Sequence, residues 1–171
     1  MINIKIATEA HAETLALLGR VTYIESHGHF IGNENDLSEY VKTAFSVSKT
    51  RDDINDPNTI FYIISVDELP VGYVKLVLGT THKSVSSENN CQLERIYILN
   101  DFIPLKLGHQ LMDYIEEKVK EMQLNTIWLS VYIENKRAIR FYQKNGYQEV
   151  GISTFLVNGK GFENLVFSKQ I

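Results

Sequence analysis

Apolar and polar residues along the chain change period several times, and each change marks an element. "INIKIAT" alternates every second residue, as a half-buried strand does, and Thr8 is placed to cap a helix over "EAHAETLALLGRVTYIES". "HGHFIGNE" is polar and contains glycine, so it reads as a loop, and "NDLSEYVKTAF" then has helical spacing with Asn35 or Asp36 near its cap. "TIFYIISVD" and "VGYVKLVLG" are rich in β-branched and aromatic residues on either side of "ELP" and should pair as an antiparallel hairpin. A polar loop, "THKSVSSENN", leads to the strand "CQLERIYIL", the loop "NDFIPLKLG" and the stretch "HQLMDYIEEKVKEM". There Leu111, Met112, Ile115, Val119 and Met122 fall at helical spacing and leave Glu116, Glu117, Lys118 and Lys120 to water.

"TIWLSVY" is a short apolar run suited to a strand buried on both faces. A strand, a helix and a further strand in this order require a parallel, right-handed crossover. "NKRAIRFYQKNGY" is the next helix, with Asn135 at its cap, an inner stripe of Ala138, Ile139, Phe141 and Tyr142, and Asn145-Gly146 ending it. "YQEVGISTFLV" and "FENLVFSKQI" flank "NGKG", whose Asn158-Gly159 is a tight-turn signal. The predicted class is α/β of the α+β kind: a mixed sheet, antiparallel at its start and parallel in the middle, with helices on both faces.

Length and composition narrow this picture. At 171 residues, 44% of them apolar and 22% charged, the chain reads as one domain over residues 1–171, without repeats or linkers. The net charge of -4 lacks the basic face that a nucleic-acid backbone demands, and it suits a cationic amine. The single cysteine, Cys91, excludes an intrachain disulfide, and no Cys/His spacing resembles a zinc site, so no metal is expected. Neither a secretory leader nor a run of about 18 apolar residues is present, which predicts a cytoplasmic protein with no membrane association.

Chemistry can sit at several places. The loop after "CQLERIYIL" lies at the carboxyl end of a parallel strand, where open α/β sheets bind ligands, and "IPLKLG" joins backbone N–H groups, Lys106 and a helix N-terminus, a combination that suits phosphate. The same junction also forms where Gly108 only lets a helix start close to a sheet. Tyr142 is either a core residue whose hydroxyl has found a partner or a working phenol. Glu94 is either a strand residue paired with Arg95 or Lys75 or a carboxylate available as a base. Lys136, Arg137, Arg140 and Lys144 form a solvated helix face or a phosphate-facing one. His27 and His29 read as solvated loop residues, and Cys91 as a small apolar residue at a strand start.

"LERIYILNDFIPLKLGHQLM", followed by "LSVYIENKRAIRFYQKNGYQEVG", resembles the GCN5-related N-acetyltransferase (GNAT) superfamily, whose members transfer acetyl from acetyl-CoA to an amine. The likeness covers roughly residues 60–171. Within the superfamily the chain is most similar to bacterial spermine/spermidine acetyltransferases of the PaiA type, which share "ENDLSEYVKTAF" in approximate form. The resemblance implies a sheet splayed between two parallel strands, main-chain contacts to the pantetheine arm from Ile96, Tyr97 and Ile98, and a pyrophosphate loop of Ile103, Pro104, Leu105, Lys106, Leu107 and Gly108. The family places Gln or Arg at the first of these six positions and Gly at the fourth, where this chain has Ile103 and Lys106.

The resemblance further implies that Tyr142, seven residues beyond Asn135, touches the cofactor and protonates the departing thiolate, while Asn135 contacts the pantetheine region. Glu94 is implied as the base that deprotonates the amine. The first two helices form one wall of the acceptor groove in this superfamily, so Glu25 and Glu34 are expected to recognise distal ammonium groups. The implied function is acetylation of a polyamine by direct attack in a ternary complex. The alternatives are a protein amine, another small amine, or a non-catalytic acyl-CoA-binding regulator. A homodimer is anticipated through "ENLVFSKQI" as an exchangeable edge.

Overall fold

A computed structural model describes residues 1–171. Seven strands and five helices alternate as β1 (Ile2–Ile6), α1 (Ala12–Ile31), α2 (Glu34–Ala44), α3 (Val47–Asn55), β2 (Thr59–Val66), β3 (Leu69–Leu78), β4 (Asn90–Ile98), α4 (Leu107–Glu121), β5 (Thr126–Tyr132), α5 (Lys136–Lys144), β6 (Gln148–Val157) and β7 (Lys160–Gln170). The strands form one mixed sheet in the order β1-β2-β3-β4-β5-β7-β6, with β4 and β5 parallel. β7 therefore lies inside the sheet between β5 and β6, and the edges belong to β1 and β6, which corrects the expectation that "ENLVFSKQI" is an edge. Two compact units divide the chain, Met1–Leu76 with Arg95–Leu111 and Val77–Glu94 with Met112–Ile171.

In the first unit, α1 is longer than its pattern suggests. The segment "HGHFIG" continues the helix to Ile31, and the chain leaves it at Gly32 with a φ of 68°, a left-handed exit that costs glycine nothing. His27 and His29 are consequently helical, not loop residues. The cap of α2 is Asn33, whose side chain accepts from the N–H groups of Asn35 and Asp36, so the cap falls two residues before Asn35. Leu15 and Leu18 of α1 bury against Phe61, Ile63 and Tyr73 of the sheet. The helix α3 buries only Thr50, and it is fastened by Asp53, which pairs with Lys49 and with the Lys75 ammonium at 2.8 Å. Burial pushes the Asp53 carboxyl up, but the two lysines outweigh it and hold the group below its usual range. The β2–β3 turn is Asp67-Glu68, both at positive φ as a two-residue hairpin turn demands.

In the second unit, β5 pairs with β7 from Thr126↔Gln170 to Tyr132↔Asn164, and β6 with β7 through a bulge between Glu149 and Gly151. The turn Asn158-Gly159 has positive φ at both residues, as its sequence predicts. Both helices of this unit cover one face of the strands. Lys169 reaches Glu116 of α4 at 2.7 Å, and Tyr142 of α5 lies with its ring centroid 6.5 Å from Phe167. On the opposite face His82 packs 5.7 Å from Trp128, and Ser84 sits so close to Gly151 that a Cβ there would fall 2.1 Å from its hydroxyl.

Candidate active site

The parallel ladder of β4 and β5 is short. It comprises Asn90↔Thr126, Cys91↔Ile127 and Gln92↔Trp128, whereas β4 runs on to Ile98 and β5 to Tyr132. Past the third pair the ladder leaves the N–H and C=O groups that alternate residues turn toward the neighbouring parallel strand unused, and an extended amide-bearing chain is the kind of ligand that can satisfy them.

Glu94 and Tyr142 flank this point from opposite sides. Paired residues share a face, so Gln92 lies on the Trp128 face; alternation puts Glu94, two residues on and exposed, on that face also. Leu129 pairs with Phe167, and Tyr142 packs over Phe167 on the other face. A reacting group reached by both side chains must therefore run through the plane of the sheet, not over either surface of it.

The helix that carries Tyr142 starts where its sequence says it should. Asn135 caps α5, its side-chain oxygen accepting from Ala138 N–H at 3.1 Å. Tyr142 packs against Phe141, Tyr147 and Phe167 at 5.4, 6.0 and 6.5 Å between centroids. The residue is half-buried, its hydroxyl makes no hydrogen bond within the chain, and that oxygen is not among the sealed polar atoms. Burial raises its pKa above the ordinary phenol value, so the proton stays on oxygen at neutral and mildly alkaline pH. A protonated phenol without an internal partner is equipped to donate.

The segment after β4 is more ordered than a loop. Asn100–Leu105 form a short 3-10 helix, and α4 begins at Leu107, two residues before the predicted start. Lys106 joins them in the left-handed conformation, φ 55° and ψ 28°. A residue with a Cβ held in that conformation carries a strain cost of about 1–2 kcal/mol. Lys106→Gly is expected to stabilise the fold by about 1 kcal/mol, a rise of roughly 2–4 °C in thermal unfolding. An unchanged or lower melting temperature contradicts the strain argument.

The structure redistributes the acidic candidates. The Glu25 carboxylate accepts from Asn100 N–H at 3.0 Å, so it ties α1 to the start of the 3-10 segment. Glu34 is exposed at the head of α2 and lines a surface hollow of about 450 Å³ together with Arg20, Ile24 and Lys42. Lys75, one suggested partner for Glu94, is held by Asp53. Cys91 is sealed, with its thiol pushed up to about 12 by burial, a state opposite to that of a reactive thiolate. No group of three His, Cys, Asp or Glu side chains is placed to hold a metal ion, and no helix is long and apolar enough to cross a membrane.

Two features escaped the sequence reading. Gly72 on β3 faces β4 so closely that a Cβ there would meet the Ile98 side chain at 2.4 Å and the Tyr97 carbonyl oxygen at 2.5 Å. His27 stacks on Tyr23 at 4.6 Å and meets the Tyr97 ring at 5.9 Å, so it is a packed residue and not a solvated one. A lone glycine inside a strand pattern was the available signal for the first; none marked the second.

Comparison with known proteins agrees with this geometry. An uncharacterized N-acetyltransferase encoded in the pepI 3' region of Lactobacillus delbrueckii subsp. lactis is 27% identical over 173 residues, covering 100% of this chain and 99% of the relative. An uncharacterized N-acetyltransferase of Mycobacterium bovis is 22% identical over 79% of this chain and 82% of its own length. Among solved structures, a PaiA N-acetyltransferase from Thermoplasma acidophilum in complex with coenzyme A superposes with a TM-score of 0.78 at 20% identity, covering 100% of this chain and 99% of that one. The profile of the Acetyltransferase (GNAT) family matches residues 25–147, and the chain belongs to that family, enzymes that move an acetyl group from acetyl-CoA to an amine.

Proposed function

We propose that the whole chain acts as one N-acetyltransferase domain on a polyamine such as spermidine or spermine, by direct attack of a primary amine on acetyl-CoA. The observation that carries the chemistry is the placement of Glu94 and Tyr142 on opposite faces where the β4–β5 ladder ends. The polyamine is supported by the net charge of -4 and by the likeness to a PaiA N-acetyltransferase. A cytoplasmic location fits a substrate and a cosubstrate of that compartment.

In this reading main-chain groups of Ile96, Tyr97 and Ile98 pair with the pantetheine arm, and Asn135 contacts the same region. The segment Ile103–Gly108 takes the pyrophosphate at the N-terminus of α4, where N–H groups and the Lys106 charge attract an anion. The Lys106 backbone already has the left-handed shape such a turn needs, and this is the fit of the chain to the cosubstrate. Glu94, directly or through water, takes the proton of an ammonium whose pKa is around 10. The freed amine attacks the thioester carbonyl, a C–N bond forms, and the C–S bond then breaks as the Tyr142 hydroxyl gives its proton to the departing sulfur; the surplus proton on the new amide nitrogen leaves to solvent, and the phenolate takes one back from it. Glu34 faces solvent where a distal ammonium group can reach it.

The test is thiol release by the purified chain with acetyl-CoA and a panel of spermidine, spermine, n-butylamine and an alanyl peptide. Release that depends on spermidine or spermine, with kcat/KM well above that for the other two, is expected. Preference for the peptide or the monoamine overturns the polyamine assignment, and coenzyme A binding without release for any amine overturns the reaction.

A further inference from the structure

One edge of the sheet lacks the features that keep edges apart. β6 is paired only on its β7 side, so half of its backbone N–H and C=O groups turn outward from the sheet. Between the bulge at Glu149/Gly151 and the turn at Asn158-Gly159, residues 151–157 run straight as "GISTFLV", with no charge and no proline. Ile152 is 56% and Leu156 60% exposed on one face, and Phe155 stands out on the other at 39%. Natural edges are blunted by charges, prolines and bulges, and the other edge strand, β1, does carry an exposed charge, Lys5.

The straight run of β6 fits itself. Directly opposite residues of an antiparallel pair face the same side of a sheet, and a two-fold axis at Thr154, the middle of the run, pairs it over its whole length. Ile152 of each copy then lies opposite Leu156 of the other, Ser153 opposite Phe155, Gly151 opposite Val157, and Thr154 opposite itself. The two most exposed large apolar side chains of the strand cover each other twice. Just outside the run, Glu149 stands at one end and Lys160 follows the turn at the other, so the same axis brings opposite charges together at both ends.

We propose that β6 of one molecule pairs antiparallel with β6 of a second copy about Thr154, so that two sheets become one. Each chain has a single run of this kind, and the assembly therefore closes at two. The inference is independent of the acceptor amine and of the acetyl-transfer mechanism.

Sedimentation equilibrium of the full chain is measured from about 1 to 100 µM, a range suited to an interface of two strands, and should show a species of twice the chain mass. Thr154→Lys sets two ammonium groups against each other across the axis and should raise the dissociation constant about tenfold, whereas Thr154→Val should keep the dimer. Thr154 is exposed, so the lysine costs the fold little, and an unchanged circular dichroism spectrum checks this. The register has its own readout. Opposite Cα atoms in an antiparallel pair lie about 4.5–5.5 Å apart, within the span of a disulfide, and the native Cys91 is buried. Thr154→Cys should therefore oxidise to a covalent dimer much faster than Gln143→Cys, an exposed position on α5. A wild-type chain that stays single through the whole range leaves the edge to another kind of strand and overturns the proposal. It is also overturned by a Thr154→Lys variant that dimerises like the wild type, by species that grow past two with concentration, or by equal rates of cross-linking at the two cysteine positions.

Discussion

Tyr142→Phe is expected to lower kcat by about 10²- to 10⁴-fold, the range of a lost general acid, and to leave the KM for acetyl-CoA and the melting temperature nearly unchanged. Phenylalanine keeps the ring against Phe141, Tyr147 and Phe167, so the packing that seats α5 on the strands survives. The hydroxyl makes no internal hydrogen bond, so its removal leaves no buried partner stranded. The wild-type rate should also show no alkaline decline from this group in the range where the amine loses its own proton. Burial raises the phenol pKa, so Tyr142 remains an acid above the ordinary phenol value near 10 and fails only beyond it. Steady-state kinetics with thiol detection across pH decide the matter. A variant within threefold of wild type in kcat shows that sulfur finds its proton elsewhere, and the role of Tyr142 is then packing alone.

Where a single local rule governs, the sequence shows the structure well. "TIWLSVY" is β5 residue for residue, Asn135 is the cap, and Asn158-Gly159 is the turn, because a buried strand, an N-cap and a positive-φ turn each have few compatible residues. The helix α3 was invisible because it buries only Thr50 and so shows no apolar stripe. α1 was cut short for the opposite reason. Leu17, Val21 and Ile24 are exposed while Leu15, Leu18 and Tyr23 are buried, so its faces are not segregated and a polar "HGH" at its end looks like a break. At the candidate site, the seven-residue spacing of Asn135 and Tyr142 was legible. The conformation of Lys106 was not, since a lysine gives no hint of positive φ. Nor was the attachment of Glu25 to Asn100, 75 residues away.

Gly72→Ala is the second large effect, and it reaches the site through backbone. The new methyl falls 2.4 Å from Ile98 Cδ1 and 2.5 Å from the Tyr97 carbonyl oxygen. The isoleucine terminus can rotate away; the carbonyl cannot move without the strand. β4 is held there by other contacts as well, because Leu99 N–H donates to Val71 O at 2.9 Å and the Tyr97 ring is met by Tyr23, His27 and Tyr73. The strain therefore cannot relax at one residue, and a cost of about 1–3 kcal/mol is expected, as for overpacking in general. In a chain of this size that lowers the melting temperature by roughly 2–4 °C per kcal/mol. Because Tyr97 and Ile98 are the main-chain partners proposed for the pantetheine arm, the KM for acetyl-CoA should rise at least as steeply as that for the amine. Gly161→Ala serves as the control, since its methyl meets only side chains of the β6–β7 hairpin, Thr154 at 3.1 Å and Leu156 at 4.0 Å. If Gly72→Ala melts with the wild type and keeps its acetyl-CoA KM, the end of β4 yields freely, and a rigid strand edge that presents its amides to the cosubstrate is the wrong description of this protein.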